Sequence, residues 1–211
     1  MNGDLITKIS DKDVNIDELA EKTINDPEMR DKIVGLMLTH QHIMVYYHSF
    51  YIICRASQIN PELFYQYWDD FKSLLDHPNS YHRNFALALL ANLTPVDNEN
   101  RFQSILNDYF QCMNDEKIMT ACKCIKNTAK ILESKTELTD EIIGILLDVD
   151  NRSDFPLKQK ALLKSYIIEL FYKFYGQITD QKQVTEFVKG ELDNISPKTR
   201  KITQKFLDKY C

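Results

Sequence analysis

The side chains able to carry a proton, a metal or a reactive pair are few in this chain of 211 residues, and their spacing argues against chemistry. The histidines are His40, His42, His48, His77 and His82. His42 and His48 do not share one helix face, and His40-Gln41-His42 spans a predicted turn. No His-Glu-x-x-His pattern occurs and no carboxylate sits at ligand spacing, so the histidines are expected to serve structure or loops, with His77 and His82 flanking a helix cap at Asn79. Cys122 and Cys124 are two apart on a predicted helix, which turns their thiols about 200° from each other. They cannot chelate one metal without breaking that helix. The carboxylate pairs Asp69-Asp70 and Asp140-Glu141 lie on predicted exposed faces, with no cleft to make them an acid–base pair. Five glycines are too few for a phosphate-cradling loop, and no Gly-x-Ser-x-Gly elbow occurs. The expectation is a protein that is not an enzyme, with no metal and no cofactor.

The basic residues are better placed. Lys123, Lys126 and Lys130 share one helix face; Lys160 and Lys164 are four apart, and so are Lys201 and Lys205, beside Arg200. Arg83 sits early in another predicted helix. Eleven tyrosines, among them Tyr47, Tyr51, Tyr81, Tyr166 and Tyr172, add amphipathic rings of the kind enriched at protein interfaces. Trp68, beside Phe64, Tyr67 and Phe71, is expected in the core.

These side chains need elements to position them, and the sequence predicts helices throughout. Asn79-Ser80-Tyr81-His82-Arg83-Asn84-Phe85-Ala86 aligns with Asn114-Asp115-Glu116-Lys117-Ile118-Met119-Thr120-Ala121 at an offset of 35 residues. Similar starts recur at Pro156 and Pro197, each roughly 40 residues further on. Each opens on a cap or a proline and runs into apolar residues at helical spacing. The predicted organisation is an N-terminal cap over 1–25 and helix pairs over 26–60, 61–95, 96–135, 136–176 and 177–211, together one all-α domain. The first helix of each pair is termed A and the second B. The B helices carry the wider apolar stripes, such as Phe85, Ala86, Leu89, Leu90 and Leu93, which a single pair cannot bury alone. The last B helix is the most polar, as suits a terminal unit. Gly176 is expected to end a helix as its C′ residue. Residues 1–12 come nearest to a disordered composition.

The stretch Leu75–Asn84, then Ala91-Asn92-Leu93-Thr94, then Asn114–Ala121 resembles a group of small microbial HEAT-repeat proteins. The resemblance covers roughly residues 60–175, with Arg83 where such repeats commonly carry a basic residue. It implies a right-handed α-α superhelix of antiparallel helix pairs, with B helices lining the concave side, and a binding or scaffolding role.

Charge divides between the two helix classes. The A segments 62–76, 99–113, 137–150 and 180–193 carry a net −11, whereas the B segments 79–93, 115–135, 156–175 and 197–210 carry +10. The whole-chain charge of −5 conceals this split. One reading pairs the two classes internally. The other makes the B face a surface for an anionic partner, through Arg83, Lys123, Lys126, Lys130, Lys160, Lys164, Arg200, Lys201 and Lys205. The expected partner is an acidic protein segment, with a nucleic-acid backbone as the alternative. A pI of 5.6 and the absence of a basic tail argue against a dedicated nucleic-acid binder, and a lone tryptophan argues against glycosylase chemistry. The start lacks a secretory pattern and the most apolar stretch, Ile43–Cys54, falls short of a membrane span, so the expected protein is cytoplasmic, a monomer or weak homodimer.

Overall fold

The structure, a computed structural model, describes residues 2–211, and among them helices account for all regular structure. The chain divides into two compact units, one ending at Glu99 and the other spanning Asn100–Cys211. The boundary falls at the first turn of the predicted 96–135 pair. The first unit holds α1 (Asn2–Ser10), α2 (Ile16–Asn25), α3 (Pro27–Thr39), α4 (Ile43–Ile59), α5 (Trp68–Ser73) and α6 (Ser80–Leu93). The second holds α7 (Arg101–Ser104), α8 (Leu106–Gln111), α9 (Ile118–Ser134), α10 (Thr139–Leu147), α11 (Val149–Arg152), α12 (Leu157–Phe174), α13 (Gln181–Lys189) and α14 (Pro197–Tyr210).

Local chemistry starts these helices where the sequence predicts. Asp26 accepts from the Met29 N–H at 3.1 Å, with Pro27 at the first helical position. Asn79 accepts from Tyr81, Asp180 from Gln183 and Ser196 from Thr199 in the same manner. Each side-chain oxygen satisfies one of the orphan N–H groups of a first turn.

The predicted A helices are less regular than expected. Between residues 61 and 76 the chain runs as a 3-10 segment (Pro61–Tyr67), the short α5 and a second 3-10 turn (Leu74–Asp76). Ile105, at φ −110° and ψ 7°, splits α7 from α8, and Asp148, at φ −86° and ψ 17°, splits α10 from α11. The B helices α4, α6, α9, α12 and α14 run unbroken. Two further expectations are corrected. Gly176 lies inside a 3-10 turn, Tyr175–Gln177, and no described glycine has positive φ, so the end of α12 tightens instead of closing on a left-handed C′ residue. The stretch over residues 1–12 is not irregular: α1 occupies Asn2–Ser10, buries Ile9 completely and packs on α4. Met1 lies outside the described residues.

Within each unit, side-chain hydrogen bonds between distant residues recur at a nearly constant separation. In the first unit the His48 Nδ1 meets the Ile9 carbonyl (39 apart), Arg55 donates to Asp17 (38 apart) and Asn92 donates to Ser57 (35 apart). In the second, Thr199 donates to the Ala161 carbonyl (38 apart), Tyr210 to the Tyr172 carbonyl (38 apart), and Lys173 to Glu133 (40 apart). A constant offset along two helices requires that they run in the same direction. So α12 and α14 lie parallel and in contact, as do α9 and α12. Large side chains fill the interior of each unit: Phe64, Trp68, Phe71 and Phe85 in the first, and Phe102, Tyr109, Phe110, Phe171 and Phe206 in the second, all 1% exposed or less. Each such burial stabilises by about 1.5–3 kcal/mol, which gives the polar face of α14 a firm attachment through Phe206.

Candidate functional site

Basic residues recur at the fourth position after a B- or A-helix cap, and there they serve the fold. Arg30, four residues after Asp26, donates through Nη1 to the Thr23 and Ile24 carbonyls at 3.1 Å each. Arg83, four after Asn79, donates to the carbonyls of His77 (2.7 Å) and Pro78 (3.1 Å). Arg200, four after Ser196, donates to the Asn194 carbonyl at 2.6 Å. Lys160, four after Pro156, reaches the Asp150 carbonyl at 2.8 Å. Each ties the start of one helix to the end of the segment before it. Of the sequence-predicted binding residues, Arg83, Lys160 and Arg200 are therefore engaged in holding turns.

Lys164 is mostly withdrawn from the surface. Its side chain is 13% exposed, and its ammonium lies 2.7 Å from both Asp150 Oδ2 and Glu191 Oε1. Burial lowers the proton affinity of Lys164, but the hydrogen bonds it donates to Asp150 and Glu191 outweigh that, and its pKa rises. Asp150 and Glu191 belong to A segments and Lys164 to a B helix, so the internal pairing of the two helix classes is realised here.

The remaining predicted lysines lie on one face of the second unit. Lys123 and Lys126 are exposed on α9, Lys130 is half-buried beside them, and Lys201 and Lys205 are exposed on α14. Between α9 and α14 runs α12, which presents Tyr166 and Tyr172 half-buried. The Lys126 ammonium stands 4.1 Å from the Tyr166 ring centroid, and that of Lys198 stands 3.7 Å from the same ring. Lys205 and Lys209 stand 4.6 and 4.4 Å from the Tyr172 ring. Such contacts stabilise by about 0.5–1 kcal/mol at exposed sites, enough to orient a lysine without immobilising it. Beneath this layer Cys122 is 2% exposed; burial raises its pKa, and the charges of Lys126 and Lys198 oppose that shift. Along α14 an open groove of about 490 Å³ is lined by Tyr172, Lys201, Gln204, Lys205, Asp208 and Lys209.

The carboxylates on this face are fewer. Glu169 pairs with Lys198 at 3.1 Å, Glu133 pairs with Lys173, and Asp208 accepts from Gln204 at 2.7 Å. Among the described residues, Lys123, Lys126, Lys201, Lys205 and Lys209 form no ion pair. Lys209 holds its proton more tightly than an ordinary lysine, chiefly through the Tyr210 hydroxyl. Sequence reasoning missed Lys198 and Lys209, although Lys198, Lys201, Lys205 and Lys209 follow the i, i+3, i+7, i+11 rule for one helix face. The pattern was legible once extended past the first matching pair.

His77 and His82 stack at 4.1 Å between ring centroids, and His77 Nδ1 accepts from the Asn79 N–H at 3.0 Å, so the two support the cap. Burial lowers the pKa of His82, and the neighbouring His77 adds to the shift. Cys112, Cys122 and Cys124 are buried. Among the described residues no group of three His, Cys, Asp or Glu side chains is placed to hold a metal, and no helix is long and apolar enough to cross a membrane. In the first unit, Tyr47 meets Tyr51 and Tyr81 edge to face at 4.9 and 5.5 Å, giving a second tyrosine surface on α4 and α6 that lacks lysines. No family model, curated protein or solved structure matches this chain.

Proposed function

We propose that this chain is a non-enzymatic interaction scaffold that binds an acidic protein segment through the lysine and tyrosine face of α9, α12 and α14. The carrying observation is that lysines from two helices converge on the rings of Tyr166 and Tyr172 without forming internal ion pairs at Lys126, Lys205 and Lys209. Cations held over aromatic rings keep N–H donors available, and the tyrosines supply rigid contact area of the kind that anchors interfaces. The architecture that goes with this reading is a HEAT-like α-solenoid, a right-handed superhelix with B helices on its concave side. The recurrence of hydrogen bonds at separations of 35–40 residues supports repeats that touch chiefly their neighbours.

The ligand contacts in this reading are Lys126, Lys201 and Lys205 from the sequence-predicted set, joined by Lys198, Lys209, Tyr166 and Tyr172, with Lys123 and Lys130 flanking. Arg83, Lys160, Lys164 and Arg200 support the scaffold instead. A phosphate backbone is the competing ligand. It is disfavoured by the net charge of −5 and by the carboxylates of Glu133, Glu169 and Asp208 among the lysines. The test is titration of an acidic peptide and of a single-stranded oligonucleotide against the protein and its Lys126→Glu, Lys201→Glu, Lys205→Glu triple variant. Saturable peptide binding that weakens at least about tenfold in the variant is expected, since each lost charge-assisted contact is worth roughly 1 kcal/mol or more. Peptide binding unchanged by the three reversals, or tighter binding to the oligonucleotide with steep loss in salt, rules the proposal out.

A further inference from the structure

We infer that the tyrosine surface of the first unit is a self-pairing interface, on which a second copy of this chain docks about a two-fold axis. Ile43, Tyr47 and Tyr51 follow at four-residue steps along α4 and so share one stripe. Tyr81 joins them from the first turn of α6, its ring 5.5 Å from that of Tyr47 and nearly perpendicular to it. Tyr47 and Tyr51 meet edge to face at 4.9 Å, and their hydroxyls share a hydrogen bond of 2.9 Å. The three rings therefore hold one another in place before any partner arrives. The patch nevertheless stays open to solvent: Ile43 is 47% exposed, and Tyr51 and Tyr81 are each 42% exposed. Apolar and aromatic side chains left open in one cluster mark interaction surfaces. This patch uses no residue of the lysine face and stands independently of the acidic-partner reading.

Charge selects the occupant. Lys, Arg, Asp and Glu make up 27% of the chain, yet residues 40–61 and 77–96, which contain α4 and α6, hold only Arg55 and Arg83. Both are engaged within the unit: Arg55 donates to Asp17 of α2 at 2.8 Å, and Arg83 to the carbonyls of His77 and Pro78. A two-fold interface sets a patch against its own copy, so a charge near the axis meets the same charge. Copies of net charge −5 repel, and a row such as Lys198, Lys201 and Lys205 would repel itself. The tyrosine patch escapes both penalties, and it offers no charge to a strongly acidic or basic partner. Tyrosine gives rigid contact area at low entropic cost, and interface cores are likewise poor in charge. Aromatic side chains bury roughly 150–250 Å² each, so the exposed parts of this patch come to a few hundred Å². Stable complexes bury about 800 Å² per partner, which makes this pairing weak and concentration-dependent.

The experiment is sedimentation equilibrium of the intact protein from micromolar to millimolar concentration, at low and at high salt. A reversible monomer–dimer equilibrium is expected, unweakened by salt because no charge pair holds it. The Tyr51→Lys, Tyr81→Lys variant should dimerise at least about tenfold more weakly, and so should Tyr51→Glu, Tyr81→Glu, since each sets like charges across the axis. Mixing the two variants should restore a one-to-one dimer, which neither forms alone and which requires that both have kept their fold. A protein that stays monomeric over the whole range overturns the inference, and so does a dimer untouched by either variant. A mixture of the two variants that stays monomeric does the same. A dimer dispersed by salt also overturns it, because charged surfaces would then make the contact.

Discussion

Lys164 shows how a single side chain divides between surface and interior. Its helical spacing from Lys160 made it a candidate contact, yet it lies between Asp150 and Glu191 at 2.7 Å from each, and Glu191 is itself buried. Replacing it with alanine leaves the buried Glu191 carboxylate without its counter-ion, still held by the Asn194 amide, which costs about 3 kcal/mol in chemical denaturation. A Lys164→Met, Glu191→Leu double variant should recover most of that loss. Because the folded-state pKa of Lys164 is raised, its contribution is fully present below the ordinary lysine value of 10.5 and drains as the pH climbs through the higher folded value. Stability measured across that alkaline range should fall less steeply in the double variant than in the wild type, the remaining slope coming from Lys22, Lys209 and the tyrosines with raised pKa. Glu18 behaves oppositely. Hydrogen bonds from Lys22 and then Lys8 lower its pKa to about 2. The contact is exposed, so the check is spectroscopic: the Glu18 carboxyl titrates near pH 2 by NMR and returns toward 4.5 in Lys22→Ala. Its contribution is present above pH 4.5 and is lost as the pH falls through 2.

At the scale of the element, the fourth residue after the cap is the recurring device. Arg30, Arg83 and Arg200 each donate to carbonyls left open at the end of the preceding segment. Carbonyls at helix ends lack intrahelical donors, and a planar guanidinium on the next helix can satisfy two of them at once. Arg83→Ala is expected to lower stability by about 1–3 kcal/mol, and Arg83→Lys by less, because both bonds leave one amino group and the Lys160 ammonium already closes the equivalent turn at Asp150. Thermal denaturation of both variants checks this. The caps themselves were legible, since Asp26, Asn79, Asp180 and Ser196 act on their own first turns. The breaks at Ile105 and Asp148 were not, because no proline or glycine marks them and tertiary packing sets their backbone angles.

At the scale of the whole molecule, each unit is tied together by contacts that reach to the neighbouring helix pair, with hydrogen bonds spanning 35–40 residues. In the solenoid proposed above, stability is close to a sum of local terms, so a lesion is expected to stay local. In the second unit α14 buries Thr199, Thr203 and Phe206, whereas α12 buries eight residues. Hydrogen exchange should therefore find α14 opening before α12, and Phe206→Ala should strip protection from α14 while leaving α9 protected. Uniform loss across α9, α12 and α14 would mean that the second unit unfolds as one cooperative block instead.

The amino-acid sequence determined the all-helical class, several of the helix caps and the charge difference between the predicted A and B segments, because periodicity, capping and composition act over a few residues at a time. Only the tertiary structure decided which lysines are spent within the fold and which stay exposed. Lys160 and Lys164 share a helical spacing with Lys201 and Lys205, but the first two meet the carbonyl and carboxylates of the 148–150 and 191 segments, and the last two do not. The fate of a charge depends on what packs within a few ångströms of it, and those neighbours come from residues 10 to 40 positions away.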